Sequence, residues 1–86
     1  MHIGFDNQAP HWRVTAILTP RGMAAKRLRD EARLAGRLID ATSGRRVRSM
    51  VITDANQVIL SAVGPETLRD RLELERLKAE AEGKGA

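Results

Sequence analysis

Arg45, Arg46 and Arg48 fall within four consecutive positions of the stretch "ATSGRRVR" (Ala41–Arg48). A guanidinium is flat and permanently charged, and its fork of donors grips a phosphate through two hydrogen bonds. Three of them crowded together repel one another, a cost that a polyanion would relieve, and the nearest acids along the chain are Asp40 and Asp54. Ser43-Gly44 reads as a tight turn, and "RRVRSMVIT" (Arg45–Thr53) as the strand that leaves it. The arginines therefore stand at the tip and first rungs of a predicted β-hairpin. Alternation along that strand puts Arg46 and Arg48 on one face and Arg45 on the other. A solvated strand accounts for any single arginine, but a turn needs none of the three. The chemistry on offer is phosphate binding.

Other chemistries find few residues to work with. The chain has no cysteine, and His2 and His11 are its only histidines, so neither a disulfide nor a thiolate zinc site is available. Ser43 is accounted for by its turn, Asp40 by a strand and Asp54 by the start of a turn. No glycine-rich phosphate loop of Walker or Rossmann spacing occurs. "RRVRS" has the look of a basophilic kinase target, as many basic strands do. No catalytic constellation assembles, so the expectation is a non-enzyme with no cofactor, no metal and no small-molecule substrate.

The charge distribution points to the class of partner. Of the net +4, the segment Met1–Val63 holds 10 Lys+Arg against 5 Asp+Glu, and nine of those ten cations are arginine. Gly64–Ala86 holds 5 against 6. The basic character belongs to the globular part and suits an acidic partner such as nucleic acid. Readers of single strands stack bases on aromatic platforms, and this chain offers only Phe5 and Trp12. Gripping the backbone of double-stranded DNA fits better. A subunit neutralising about three phosphates gives a salt slope of about −2.7, roughly a forty-fold loss between 50 and 200 mM salt. Such a grip alone is weak, and useful affinity requires many copies on one duplex.

Positioning these residues falls to one small domain. At 86 residues the core alone is marginal, since a chain of this size buries only about 60–65% of its unfolded surface; with disulfides and metals set aside, self-association is what remains. No leader-like or membrane-spanning apolar stretch is apparent, so the expected setting is the cytoplasm, with nucleoid association when DNA is bound.

Patterning predicts a short strand in "HIGF", a loop over Asp6–Pro10 and a strand over Trp12–Thr19. A helix follows, opening at Thr19-Pro20 or nearer Gly22, with Ala24, Leu28, Ala32 and Ala35 on its apolar face and Gly36 as its left-handed stop. Strands over Arg37–Thr42, Arg45–Thr53 and Gln57–Val63 then form an antiparallel three-strand meander. Pro65-Glu66 opens a second helix over about 65–82, leaving 83–86 as a disordered tail. The fold class is α+β, in the order β-β-α-β-β-β-α. "QVILSAV" is apolar on both faces, so its strand should be covered on both sides, most simply by a neighbouring subunit.

"IGF" (Ile3–Phe5), Lys26-Arg27 and above all "GRLIDATSGRRVRSMVITDANQVILSAVGPETLRDRL" (Gly36–Leu72) closely resemble the extracellular matrix regulatory protein RemA family. The likeness runs from about Ile3 to Leu72 without a gap, within an expected single RemA-like domain over 1–82, and the tail after Leu72 is not recognisably shared. The resemblance implies a DNA-binding transcriptional regulator, an activator of biofilm-matrix operons in the best-known members. It also implies a fold related to LytTR-type domains and a closed homo-oligomeric ring of seven or eight subunits with duplex DNA along its rim. The family's DNA-binding arginines match Arg13, Arg45 and Arg46; Arg48 joins them on strand parity. The loop residue Asp6, the segment "QAPHW" and "RGMA" (Arg21–Ala24) depart from relatives. The competing expectation is a structural or adaptor oligomer that binds RNA or an acidic protein.

Overall fold

The computed structural model describes residues 1–4, 7–8, 10 and 13–84. Expectations placed on Phe5, Asp6, His11, Trp12 and the last two residues lie outside them. The elements run β1 (His2–Gly4), β2 (Asn7–Gln8), β3 (Val14–Leu18), α1 (Met23–Leu34), β4 (Leu38–Asp40), β5 (Ser49–Thr53), β6 (Val58–Ser61) and α2 (Pro65–Lys84). This is a small α+β domain with a mixed four-strand sheet and two helices. One strand is added to the expected order, because Asn7–Gln8, inside the predicted loop, pairs antiparallel with β1.

The antiparallel meander does not form. The sheet order is β3-β5-β6-β4, and β4 runs parallel to β6, with Leu38, Ile39 and Asp40 beside Val58, Ile59 and Leu60. The reason lies in β6, where all four residues are buried. A strand so apolar takes the inside of a sheet and engages neighbours along both edges. The chain leaving β4 bonds to β6 through the Ala41 N–H and the Leu60 carbonyl (2.9 Å). The chain entering β5 does so through the Arg48 N–H and the Ser61 carbonyl (2.8 Å). The segment 41–48 therefore bridges over the end of β6 and is a crossover loop rather than a hairpin. Its bend is made locally. Asp40 Oδ1 accepts from the Thr42 N–H (2.9 Å) and hydroxyl (2.6 Å), and Ser43 (φ 52°) and Gly44 (φ 80°) take the left-handed region.

Both faces of the sheet are covered within one chain. Ile17, Val51 and Ile59 pack on one side with Met1, Ile3 and Leu68. Met50, Val58 and Leu60 pack on the other with Ala25 and Ala32 of α1. The two-faced apolar pattern is thus met by α1 on one side and by β1 and α2 on the other, with no need of a neighbouring subunit.

Helix α1 starts at Gly22, the second of the two expected points. Its end is a Schellman turn at Gly36 (φ 71°), with the Arg37 N–H bonded to the Ala32 carbonyl (2.8 Å) and the Gly36 N–H to the Arg33 carbonyl (3.2 Å). Its buried face differs from the expected one: Ala25 and Ala32 are buried, while Ala24 and Ala35 are exposed. Helix α2 runs through Lys84, two residues past its expected end. Leu68 is buried and Leu72 half-buried, whereas Leu74 and Leu77 are exposed. Among the described residues, no helix is long and apolar enough to cross a membrane.

Candidate nucleic-acid interface

The crossover loop carries Arg45, Arg46 and Arg48, all exposed. Strand parity does not apply to them, because β5 begins only at Ser49. Arg46 and Arg48 nevertheless line one cleft of about 790 Å³. Thr19, Pro20 and Arg21, ahead of α1, and Arg29 within it line the same space, with Val47 and Pro65. Among the described residues, four arginines and no acid line it. Among the described residues, none of the four side chains makes an ion pair. The Arg48 guanidinium lies over Gly64, with Nη2 3.4 Å from where a Cβ on that glycine would stand. Gly64 also accepts the first backbone bond of α2, from the Leu68 N–H (3.1 Å). A cation thus sits at the positive end of a helix dipole.

Arg29 and Arg21 were not singled out by the arginine clustering. The signal for Arg29 is helical spacing: it lies four residues after Ala25 and three before Ala32, on the flank that faces the sheet. Its Nε is buried and has no hydrogen-bond partner. Two alanines on that face leave room for the arginine's stem.

Arg13 stands elsewhere. It precedes β3, whose register sets Val14 beside Thr53 and Leu18 beside Met50. Arg13 is therefore at the far end of β5 from Arg45 and Arg46. The five residues of β5 alone put about 13 Å between them, at about 3.3 Å per residue. Its carbonyl accepts the Asp54 N–H (2.8 Å), and its guanidinium pairs with the Asp54 carboxylate (3.5 Å), both side chains exposed. One subunit brings Arg46 and Arg48 together, but not with Arg13.

Among the described residues, no group of three His, Cys, Asp or Glu is placed to hold a metal ion. Asp40, at the root of the crossover loop, has a displaced acidity. The Thr42 hydroxyl and then the Thr42 N–H, both donating to it, hold its pKa below the usual carboxylate range.

The sequence model of the RemA-like family, described as "Extracellular matrix regulatory protein A-like", matches residues 1–72. A protein of Thermotoga petrophila is 48% identical over 85 residues, covering 93% of this chain and 92% of its own. One of Desulfatibacillum aliphaticivorans is 51% identical over 71 residues, covering 83% and 80%. One of Nitratidesulfovibrio vulgaris is 49% identical over 71 residues, covering 83% and 81%. Each bears the name "Putative regulatory protein".

Proposed function

The chain belongs to the RemA-like family of regulatory proteins, and on that premise we propose that it is a DNA-binding transcriptional regulator acting as a homo-oligomeric ring. It grips the backbone of double-stranded DNA with Arg45, Arg46 and Arg48 from each crossover loop and with Arg13 from the other end of the sheet. Its targets are operons of the matrix or biofilm type, which it activates from the cytoplasm.

The observation that carries this reading is the acid-free concentration of exposed arginine on one loop and the cleft beside it. Arg46 and Arg48, which line that cleft and make no ion pair among the described residues, hold their charge available for phosphate. Arg13 gives the ring its purpose. A head-to-tail neighbour is what would set the Arg13 end of one copy beside the Arg46 end of the next, and such contacts close into a ring when their rotation permits. The Arg13–Asp54 pair is no obstacle, since exposed pairs contribute about 0–1 kcal/mol and exchange readily for phosphate. Exposed apolar side chains at Met23 (76%), Leu34 (89%) and Leu74 (63%) supply surface for self-association.

The test is Arg45→Ala with Arg46→Ala. The double change should abolish band shifts of a duplex while light scattering shows the mass of the assembly unchanged. Duplex binding that survives the change, or that RNA of equal length displaces as well as DNA does, overturns the assignment.

A further inference from the structure

The geometry points to a phosphate-binding site in the cleft between α1 and the crossover loop, where Arg21, Arg29, Arg46 and Arg48 hold a ligand bearing two neighbouring phosphate groups. It shares Arg46 and Arg48 with the proposed duplex grip, but Arg29 and Arg21 carry it, and no loop clustering or family likeness assigns a role to either.

Three observations converge on it. The first is Arg29 itself, on the sheet-facing side of α1 with a buried, unpartnered Nε. An unmet buried donor is costly in a folded chain, and a ligand in the cleft that Arg29 lines is one source of the missing acceptor. The second is the charge of the walls, with four guanidiniums and no carboxylate around about 790 Å³. That volume lies within the range of small-ligand pockets and exceeds what one phosphate fills. One phosphate leaves part of that positive charge unmet, and a neighbouring phosphate meets more of it.

The third is the backbone field. The segment entering α1 forms one wall, and that helix has neither a side-chain cap at Gly22 nor an acid in its first turn. Pro65, the first residue of α2, lines the same space. Both helices thus begin at the cleft and add their positive ends to the four cations. The first-turn acid of α2, Glu66, is exposed and lines no part of it.

Adjacent phosphates have two sources, a stretch of nucleic-acid backbone or the chain of a free nucleoside diphosphate or triphosphate. Calorimetric titration at low salt with sodium pyrophosphate, ADP and a mixed-sequence duplex separates them. The proteins compared are the full chain, Arg29→Gln, Arg21→Gln and, as a control, Arg33→Gln, whose side chain pairs with Asp30 away from the cleft. Arg21 is exposed, so its replacement keeps the test decisive should Arg29→Gln fail to fold.

If the ligand is free, pyrophosphate and ADP bind the wild type, and each cleft substitution weakens them about tenfold or more, with Arg33→Gln unchanged. If the source is nucleic acid, the small anions do not bind and the duplex alone weakens by a similar factor. Either outcome supports the site. Affinities for all three ligands that are the same in both cleft variants as in wild type, or absent throughout, overturn it. Loss of duplex binding on the Arg45, Arg46 double change would then still stand for the proposed function. Conversely, pyrophosphate binding lost in Arg29→Gln, beside duplex binding indifferent to the double change, would remove that function and leave the cleft.

Discussion

The arginines of this chain differ less in charge than in what each one's neighbours allow it to do. Arg33 and Arg76 lie three residues from an acid on their own helices and are paired with it, an arrangement that serves the helix. Arg13 is paired with Asp54, the residue after the neighbouring strand β5, loosely and in solvent. Arg46 and Arg48 face a cleft without a carboxylate, and Arg29 brings a buried donor to the same space. What places the loop arginines is a carboxylate: Asp40 draws the Thr42 N–H and hydroxyl onto one oxygen and turns the chain toward Ser43 and Gly44. Because those bonds favour the charged form, the folded pKa lies below the unfolded one. The stability they contribute is therefore fully present above the ordinary carboxylate pKa and is lost as pH falls through the lowered folded value. Carbon-detected NMR titration should find the Asp40 carboxyl below the usual carboxylate range in wild type. The same carboxyl should return toward the ordinary value in Thr42→Val. A normal Asp40 titration in the wild type would contradict the turn as described.

Among the elements, β6 has the most partners. It lies between β5 and β4, and its last residue, Ser61, donates its hydroxyl to the Ile3 carbonyl and accepts the Val63 N–H (3.0 Å). Ser49, its partner across the ladder, donates in turn to the Val63 carbonyl (2.6 Å). These two buried hydroxyls close the end of the sheet from which the crossover loop and α2 both depart. Ser61→Ala removes both of its bonds and leaves a buried carbonyl and amide unmet, which should cost about 1–3 kcal/mol, read as a lowered urea midpoint at unchanged slope. A loss below about 0.5 kcal/mol, the range of ordinary surface changes, would mean that β1 is not tied to the sheet through this residue.

The elements that local residues decide were legible in the sequence. Gly36 ends α1 by a Schellman turn whatever surrounds it, and Pro65-Glu66 opens α2. The apolar run at Val58–Leu60 reads as a strand covered on both sides. The placement of β4 was not legible. Ser43-Gly44 has the left-handed residues of a hairpin turn, but the competition for β6's free edge is a tertiary matter, settled by burial rather than by the turn. The cleft was hidden for the same reason, because its walls come from segments far apart along the chain. Only Arg29 left a local trace, as a charge on a helix face otherwise marked by small apolar residues.

At the scale of the whole molecule, each subunit presents cations at both ends of a narrow sheet, and α2 extends the body to 43 Å against 23 and 22 Å in its other dimensions. In one copy the two ends stand about 13 Å apart along β5, so they meet different phosphates. On the proposed reading, repetition is what would convert such a body into a DNA binder. Each copy adds an intramolecular contact at high effective concentration, so affinity grows with the number engaged while the contact itself stays weak. Counterion release makes the number measurable. If one subunit neutralises about three phosphates, its slope of log affinity against log salt is about −2.7, and a ring engaging two or more copies must give a steeper one. Fluorescence anisotropy across a salt series on a promoter-length duplex should therefore return a slope clearly steeper than that value. Light scattering on the same samples should return an oligomeric mass. Arg13→Ala should make the slope shallower without changing the mass, because it removes one phosphate contact per copy. A monomeric mass together with tight binding at physiological salt would place the affinity in base or groove contacts of a single copy, and repetition would have no part in it.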